Sequence, residues 1–220
     1  MMFVVHAAAM ALPALVPLPE YNPGDAFVFS DGRVERVIAA DGDRMTWASL
    51  SGPTYERSRN FIIPVLSWRR GRGTGTREIR GNPDALWPVK ASQSVRFRVI
   101  AQTRTNPQAK TKRSVSMWMC KTSKPRAFTV AAGTFDAIPV LCDRYSSISM
   151  RLIERREWDY SPEVGHYIRR VTVNYVRGTS RSIELVAALT GPAASPARLA
   201  AIARNARTAA TPQSTTGEKR

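Results

Sequence analysis

Histidine and cysteine are scarce in this chain of 220 residues, which holds two of each. With no Cys-x-x-Cys pair, and with His166 the only histidine beyond the first twenty residues, nothing points to a metal site or a dithiol redox centre. Acid is the next shortage. Seventeen Asp and Glu face 33 Lys and Arg, a net charge of +16, and residues 90–126 carry ten basic side chains and no acid at all. Long apolar runs are also missing, since nothing after the N-terminal segment reaches the length a membrane-crossing helix needs. Helical periodicity is absent between residues 25 and 190. The glycine-rich "GRGTGTREIRG" lacks the Gly-Lys-Ser/Thr ending of a nucleotide loop and is expected to be a mobile basic loop, so no cofactor and no metal are expected.

What is present fits one domain with tails, because 220 residues with 43% hydrophobic content can bury a core. Residues 1–20 are apolar and Ala-rich, with no charged side chain before Glu20, no Arg or Lys before Arg33, and a small-x-small pair at Ala9 and Ala11. They are expected to be a signal or leader segment lacking the usual basic start; an apolar arm is the other reading. Residues 21–190 are expected to form an all-β domain, an antiparallel meander or hairpin-built curved sheet or half-barrel. Asp31-Gly32 and Asp41-Gly42 separate short runs of β-formers, which predicts a three-stranded meander over residues 26–50. Alternation places Val95, Phe97 and Val99 on one face and Arg96 and Arg98 on the other. In "RSVSMWMC" it sets Val115, Met117 and Met119 against Ser114, Ser116 and Trp118. A last strand pair turns at residues 177–180. Residues 191–220 are expected to be a disordered basic tail of Ala, Pro, Ser and Thr, with at most a transient helix over 196–207.

The two cysteines flank "AAGTFD". If residues 115–121 and 135–144 pair around a turn near Ala131, opposing positions sum to about 262, and Cys120 and Cys142 do so. That register supports a disulfide, an oxidised pair suited to a compartment outside the cytosol. Two alternatives stay open: a small strand over 127–130 that shifts the pairing, and two unconnected buried thiols. Gly133, Asp136 and Gly165 are expected at structural turns, with Asp136 or Thr134 bonding nearby amides.

The segments "DALWPVKASQSVRFRV", "VAAGTFDAIPVLCDR", "REWDYSPEVGHYIRRVTV" and "RSIELVAAL" resemble the DUF3108-like (TapB-like) bacterial envelope proteins over roughly residues 84–190. Ala91 to Gln93 depart from the glycine usual there. The resemblance implies a secreted, antiparallel β-rich fold and supplies neither an activity nor a ligand.

The expected function is that of an exported, periplasmic, non-enzymatic β-domain. Its basic face, with Arg96, Arg98, Lys110, Lys112, Arg113, Lys121 and Lys124, is expected to meet an anionic envelope polymer, lipid headgroups or an envelope protein. A coding bias toward arginine explains the same charge without a partner. A cytoplasmic nucleic-acid-binding protein is one alternative, with tryptophans and tyrosines beside the arginines as stacking platforms. A hydrolase is another, built on His166 with Ser161 or Ser180 and Asp159, although no nucleophile-elbow sequence accompanies them. For His166 itself, the plainer expectation is a partly exposed residue at a strand end.

Overall fold

The structure is a computed structural model that describes residues 15–210; Ala9, Ala11 and residues 211–220 lie outside the described residues. Thirteen strands follow one another: β1 (Ala26–Phe29), β2 (Val34–Asp41), β3 (Arg44–Ala48), β4 (Tyr55–Ser58), β5 (Ser67–Arg70), β6 (Gly73–Arg80), β7 (Ser94–Arg104), β8 (Lys112–Thr122), β9 (Arg126–Val130), β10 (Gly133–Ser146), β11 (Leu152–Ser161), β12 (His166–Asn174) and β13 (Thr179–Leu189). A 3-10 turn over Pro83–Leu86 precedes β7, and a helix, α1 (Pro196–Ala210), follows β13. The expected meander is formed by β1, β2 and β3, whose turns use Gly32 and Gly42 at φ 74° and 54°.

Strands β1 to β8 pair antiparallel in sequence order, β8 pairs with β10, β10 with β11, and β11, β12 and β13 lead back to β1. Twelve strands therefore close a ring, a step beyond the half-barrel, and β9 is the one strand outside it. The strand that closes the ring is β10, 14 residues long. Its first five residues pair with β9, while Val140–Ser146 pair with β8 and Ile138–Tyr145 with β11. The small strand near residue 128 thus coexists with the register of Cys120 opposite Cys142, and the two sulfurs are bonded. Both cysteines are buried. Cross-linking across 22 residues limits the unfolded chain and contributes about 3 kcal/mol by loop entropy.

Because every neighbouring pair is antiparallel, turns alternate between the two ends of the barrel. One end carries residues 30–33, 49–54, 71–72, 105–111, 147–151 and 175–178. The opposite end is filled. There Val16 bridges to Val89, and Tyr21, Leu86 and Trp87 enter the core. The tip of the β9–β10 hairpin also reaches β13, where the Ala132 amide donates to the Leu185 carbonyl at 3.1 Å. Residues 59–66 fold inward, burying Phe61, Ile62 and Ile63.

Three expectations are corrected. In β8 the inward positions are Trp118 and Cys120, opposite Phe97 and Val95, while Met119 is 39% exposed; apolar methionines mislead the alternation. The "GRGTGTREIRG" stretch is the turn and second strand of the β5–β6 hairpin rather than a loop. Gly75 lies beneath the Trp68 indole, where an added Cβ would come within 2.1 Å of the ring. Residues 191–210 are ordered: α1 buries Leu199 and Ala203 against Ala26, Val28 and Val34 on the outside of β1 and β2. Few large apolar residues suffice because the surface they cover is itself made of small side chains.

The docking of α1 depends on Gly32, whose φ is 74° and whose absent Cβ would sit 2.3 Å from Arg207 Cγ and 2.8 Å from the Ala203 carbonyl oxygen. Gly32→Ala is expected to lower stability by about 1 kcal/mol or more and to speed amide exchange across residues 196–210. Gly42→Ala, also at positive φ but with open space around it, should leave the exchange of α1 unchanged. Hydrogen-exchange mass spectrometry of the two variants checks this.

Candidate functional site

Inside the ring, alternation brings charged side chains to positions that a small barrel usually fills with apolar ones. Arg156 lies opposite Cys142, Glu154 opposite Arg144, and Arg170 opposite Trp158 and Ile183. Arg77 lies two positions from Ile79 on the inward side of β6. These residues line or adjoin a cavity of about 610 Å³ whose wall contains seven arginines and a single acid, Glu35. Its apolar wall includes Phe61, Ile63, Pro64, Trp68 and Trp158, and Ser51, Gly52, Arg69 and Arg70 surround its mouth. An adjoining hollow of about 540 Å³ shares Arg33, Arg156 and Arg170 and has Glu154 as its only acid.

The charges do not balance. Arg57 donates to Glu35 at 2.7 Å, and Tyr167 donates to the same carboxylate oxygen at 2.9 Å. Arg170 reaches the Tyr167 hydroxyl at 3.2 Å and stands 4.0 Å from Glu35. Arg156 pairs with Glu154 at 2.6 Å, and Arg144 shares that acid at 3.6 Å. Arg77 pairs with no carboxylate among the described residues; it donates to the Val65 carbonyl at 2.5 Å. Five guanidinium groups thus face two carboxylates, an excess of three positive charges. Burial, reinforced by Arg156 and Arg144, pushes the Arg77 pKa down to about 10. Burial does the same to Arg156, also to about 10, with Arg170 and Arg144 adding to the effect and Glu154 opposing it. Both stay charged at neutral pH, so the space between them favours an anion.

Aromatic faces offset part of the desolvation. Arg77 lies over Trp68 at 4.1 Å, Arg156 over Trp118 at 5.1 Å, Arg57 over Trp47 at 5.4 Å, and Arg170 over Tyr167 at 5.5 Å. Glu35 is the hub. Burial opposes its ionised form, but Arg57, helped by His166 and Arg170, holds it well below the usual carboxylate range.

Below this hub lies His166, fully buried rather than partly exposed. Its Nδ1 is 2.7 Å from the Tyr21 hydroxyl, and Phe27 stacks on the ring at 4.0 Å. Its Nε2 stands 3.6 Å from Glu35, beyond hydrogen-bond reach. Burial draws its pKa down to about 4, so the ring is neutral at physiological pH. The residues weighed for a catalytic triad do not assemble. Ser161 lies beside His166 across the β11–β12 pair, but its buried hydroxyl has no hydrogen-bond partner among the described residues. Asp159 is taken by Arg126 at 3.1 Å and Arg169 at 2.7 Å, and Ser180 is exposed near the far end of the barrel.

The basic residues singled out in sequence lie elsewhere. Arg96 and Arg98 stand on the outside of β7; Lys110, Lys112 and Arg113 gather at the open end; Lys121 and Lys124 lie at the other end. All seven are exposed, forming a stripe along the barrel rather than one locus. Gly165 lies in the β11–β12 turn at φ 68°, while Gly133, at φ 140°, opens β10 opposite Val130 just after the turn. Asp136 lies within β10 opposite Ala127, and Thr134 bonds Thr129 across the hairpin, not the turn backbone. Of the tryptophans offered as stacking platforms, Trp47, Trp87, Trp118 and Trp158 are buried. Glu35, Arg57, Arg77, Arg156 and Arg170 went unnoticed in sequence, although each breaks the apolar parity of an otherwise inward-facing row.

The architecture is thus a closed antiparallel barrel with a plugged end and a charged cavity. It is similar to that of the Escherichia coli hypothetical lipoprotein YmcC, with 6% identity over 76% of this chain and 85% of that one, at TM-score 0.51. More distant are a Bacteroides fragilis protein described as exported and YmcC-like in fold, with 14% identity over 80% and 100% of the chains at TM-score 0.44. A Parabacteroides distasonis protein described as a lipoprotein has 11% identity over 80% and 99%, at TM-score 0.39. No family model matches the chain, and no curated protein does.

Burial of neutral His166 makes stability depend on pH. The unfolded chain takes up a proton near pH 6.5 and the folded one near pH 4, so the unfolded state binds more protons between these values. Stability should therefore fall as pH drops from 6.5 toward 4, by up to about 1.4 kcal/mol per pH unit. Glu35, with its depressed pKa, contributes stability above the ordinary carboxylate range and loses it only at lower pH. Denaturant midpoints across pH 7 to about 5 should show the slope in the wild type and its near disappearance in His166→Gln.

Proposed function

We propose that this chain is an exported, non-enzymatic barrel of a bacterial envelope that takes a small amphipathic anion into its arginine-lined cavity. The observation that carries the reading is the wall itself: seven arginines against one glutamate that is already paired with Arg57. The ligand has an anionic head, a carboxylate, phosphate or sulfate, for which guanidinium forks are suited donors. Its apolar part lies along Phe61, Ile63, Trp68 and Trp158. Export is supported by the Cys120–Cys142 bond, which belongs to oxidising compartments, and by the lipoprotein description of the Escherichia coli protein of similar fold. The resemblance to DUF3108-like envelope proteins points the same way.

Two measurements test this reading. Calorimetric titration with dodecyl phosphate should show binding that weakens by roughly tenfold in Arg77→Ala and in Arg156→Ala, as expected for loss of one charge-assisted contact. Equal binding of an uncharged dodecyl glycoside, or no effect of either substitution, would overturn the cavity assignment. For export, thiol alkylation of the denatured protein from its native host should add mass only after reduction. Two freely alkylated cysteines would place the protein in a reducing compartment.

A further inference from the structure

The open end of the barrel differs from the rest of the surface in two independent ways. Its turns present large apolar side chains to solvent: Ile148 is 96% exposed, Val176 62%, Met150 55%, Tyr175 42% and Leu50 39%. Five of the eight large exposed hydrophobics among the described residues lie here, including the three most exposed. The turns bearing Ile148 and Val176 adjoin each other, since the Tyr175 amide donates to the Ile153 carbonyl at 3.0 Å, and Leu50 rises from the β3–β4 loop.

Charge is equally one-sided. Residues 49–54, 71–72, 105–111, 147–151 and 175–178 contain no Asp or Glu, and Asp31 in the remaining turn is engaged by Arg33 and Arg181. Arg72, Lys110, Lys112, Arg113, Arg151 and Arg177 surround the apolar tips. At the plugged end the connections mix both signs, with Asp43, Asp84 and Glu163 beside Arg59, Lys90 and Lys124. An apolar tip ringed by cations and free of acid matches the layering of an anionic bilayer, with hydrocarbon below a negatively charged headgroup plane. A soluble polyanion would use the cations and leave the apolar tips without a role.

We infer that the open rim docks on an anionic lipid bilayer, inserting Ile148, Met150 and Val176 among the headgroups and turning the cavity mouth toward the membrane. The inference does not depend on the identity of the cavity ligand.

Flotation of the full chain with vesicles tests it. The protein should partition onto vesicles containing phosphatidylglycerol and remain free with phosphatidylcholine alone, and raised salt should weaken the association. Ile148→Asp with Val176→Asp should reduce partition by roughly tenfold or more, as expected for two aliphatic side chains kept in water. Arg151→Glu with Lys112→Glu should do likewise through charge. All four positions are exposed, so the barrel should keep its thermal midpoint; should the Asp pair misfold, Ile148→Ser with Val176→Ser makes the same test. Arg77→Ala, which alters only the cavity, should float as the wild type does. Equal partition onto neutral vesicles would overturn the inference. So would vesicle binding that survives the apolar substitutions, or inorganic polyphosphate competing fully for a site those substitutions leave intact.

Discussion

The pairing of β10 with β11 is the constraint on which the interior depends. A sheet ending at β10 would be a strongly curved surface with two edges, and its concave face would be open to water. Bonding Ile138–Tyr145 to β11 while Val140–Ser146 bond to β8 removes the edges along the closing segment and turns the concave face into a lumen. The disulfide sits within that segment, joining β10 to β8 beside the closing pairing. Closure also explains why one long strand does the work of two. The first five residues of β10 serve the β9 hairpin that covers the plugged end, and the rest serve the ring.

Once a lumen exists, what fills it divides along the barrel axis. Toward the plugged end, Tyr21, Phe27, Trp47, Phe61, Trp87, Tyr160 and Tyr167 pack ring against ring. Toward the open end, guanidinium groups replace them. An unpaired buried cation is expensive, and lysine in these positions would shed its proton under such desolvation. Arginine keeps its charge and can lay a flat face on an aromatic ring, as Arg77 does over Trp68. Gly75 belongs to this arrangement, since the indole occupies the volume a side chain there would need. Glu35 and Glu154 neutralise part of the charge and leave the remainder as a field directed into the cavity.

Much of the fold was legible because its turns use residues with a plain mechanical meaning. The Asp-Gly pairs marked the first meander, and the cysteine spacing anticipated the β8–β10 register. Parity in β8 was misread because methionine weighs as apolar, while the buried row is Trp118 and Cys120. The hairpin of β5 and β6 was hidden by its own glycines, which signal loops in general and here make room for Trp68. The helix was expected only as a transient one over 196–207 because alanines and one leucine form a weak amphipathic pattern, strong enough only against the small residues of β1 and β2. For the site, the legible cue was a charged residue on an inward row, as with Arg156 between Glu154 and Trp158. That cue has meaning only after closure is known: on an open sheet the same row would face water, and its arginines would be ordinary surface charge. Hence the exposed basic stripe drew attention first, and the buried arginines did not.

An up-and-down ring sends alternate turns to opposite ends, so a chain can give its two ends different chemistry simply by alternating what its turns contain. Here one set of turns mixes Asp43, Asp84 and Glu163 with Arg59, Lys90 and Lys124, and the other carries an excess of arginine and lysine with bare apolar tips. The arginines inside the barrel lie toward the second set, so internal and external fields add along one axis instead of cancelling. An anion entering from the open end passes Arg69 and Arg70 and then Arg77 and Arg156. At the floor lie Phe61 and Ile63, and the buried His166 is held between the Tyr21 hydroxyl and the Glu35 carboxylate. Among the described residues, the arginines outnumber the acids in the cavity wall from its mouth to its floor, so its electrostatics favour anions.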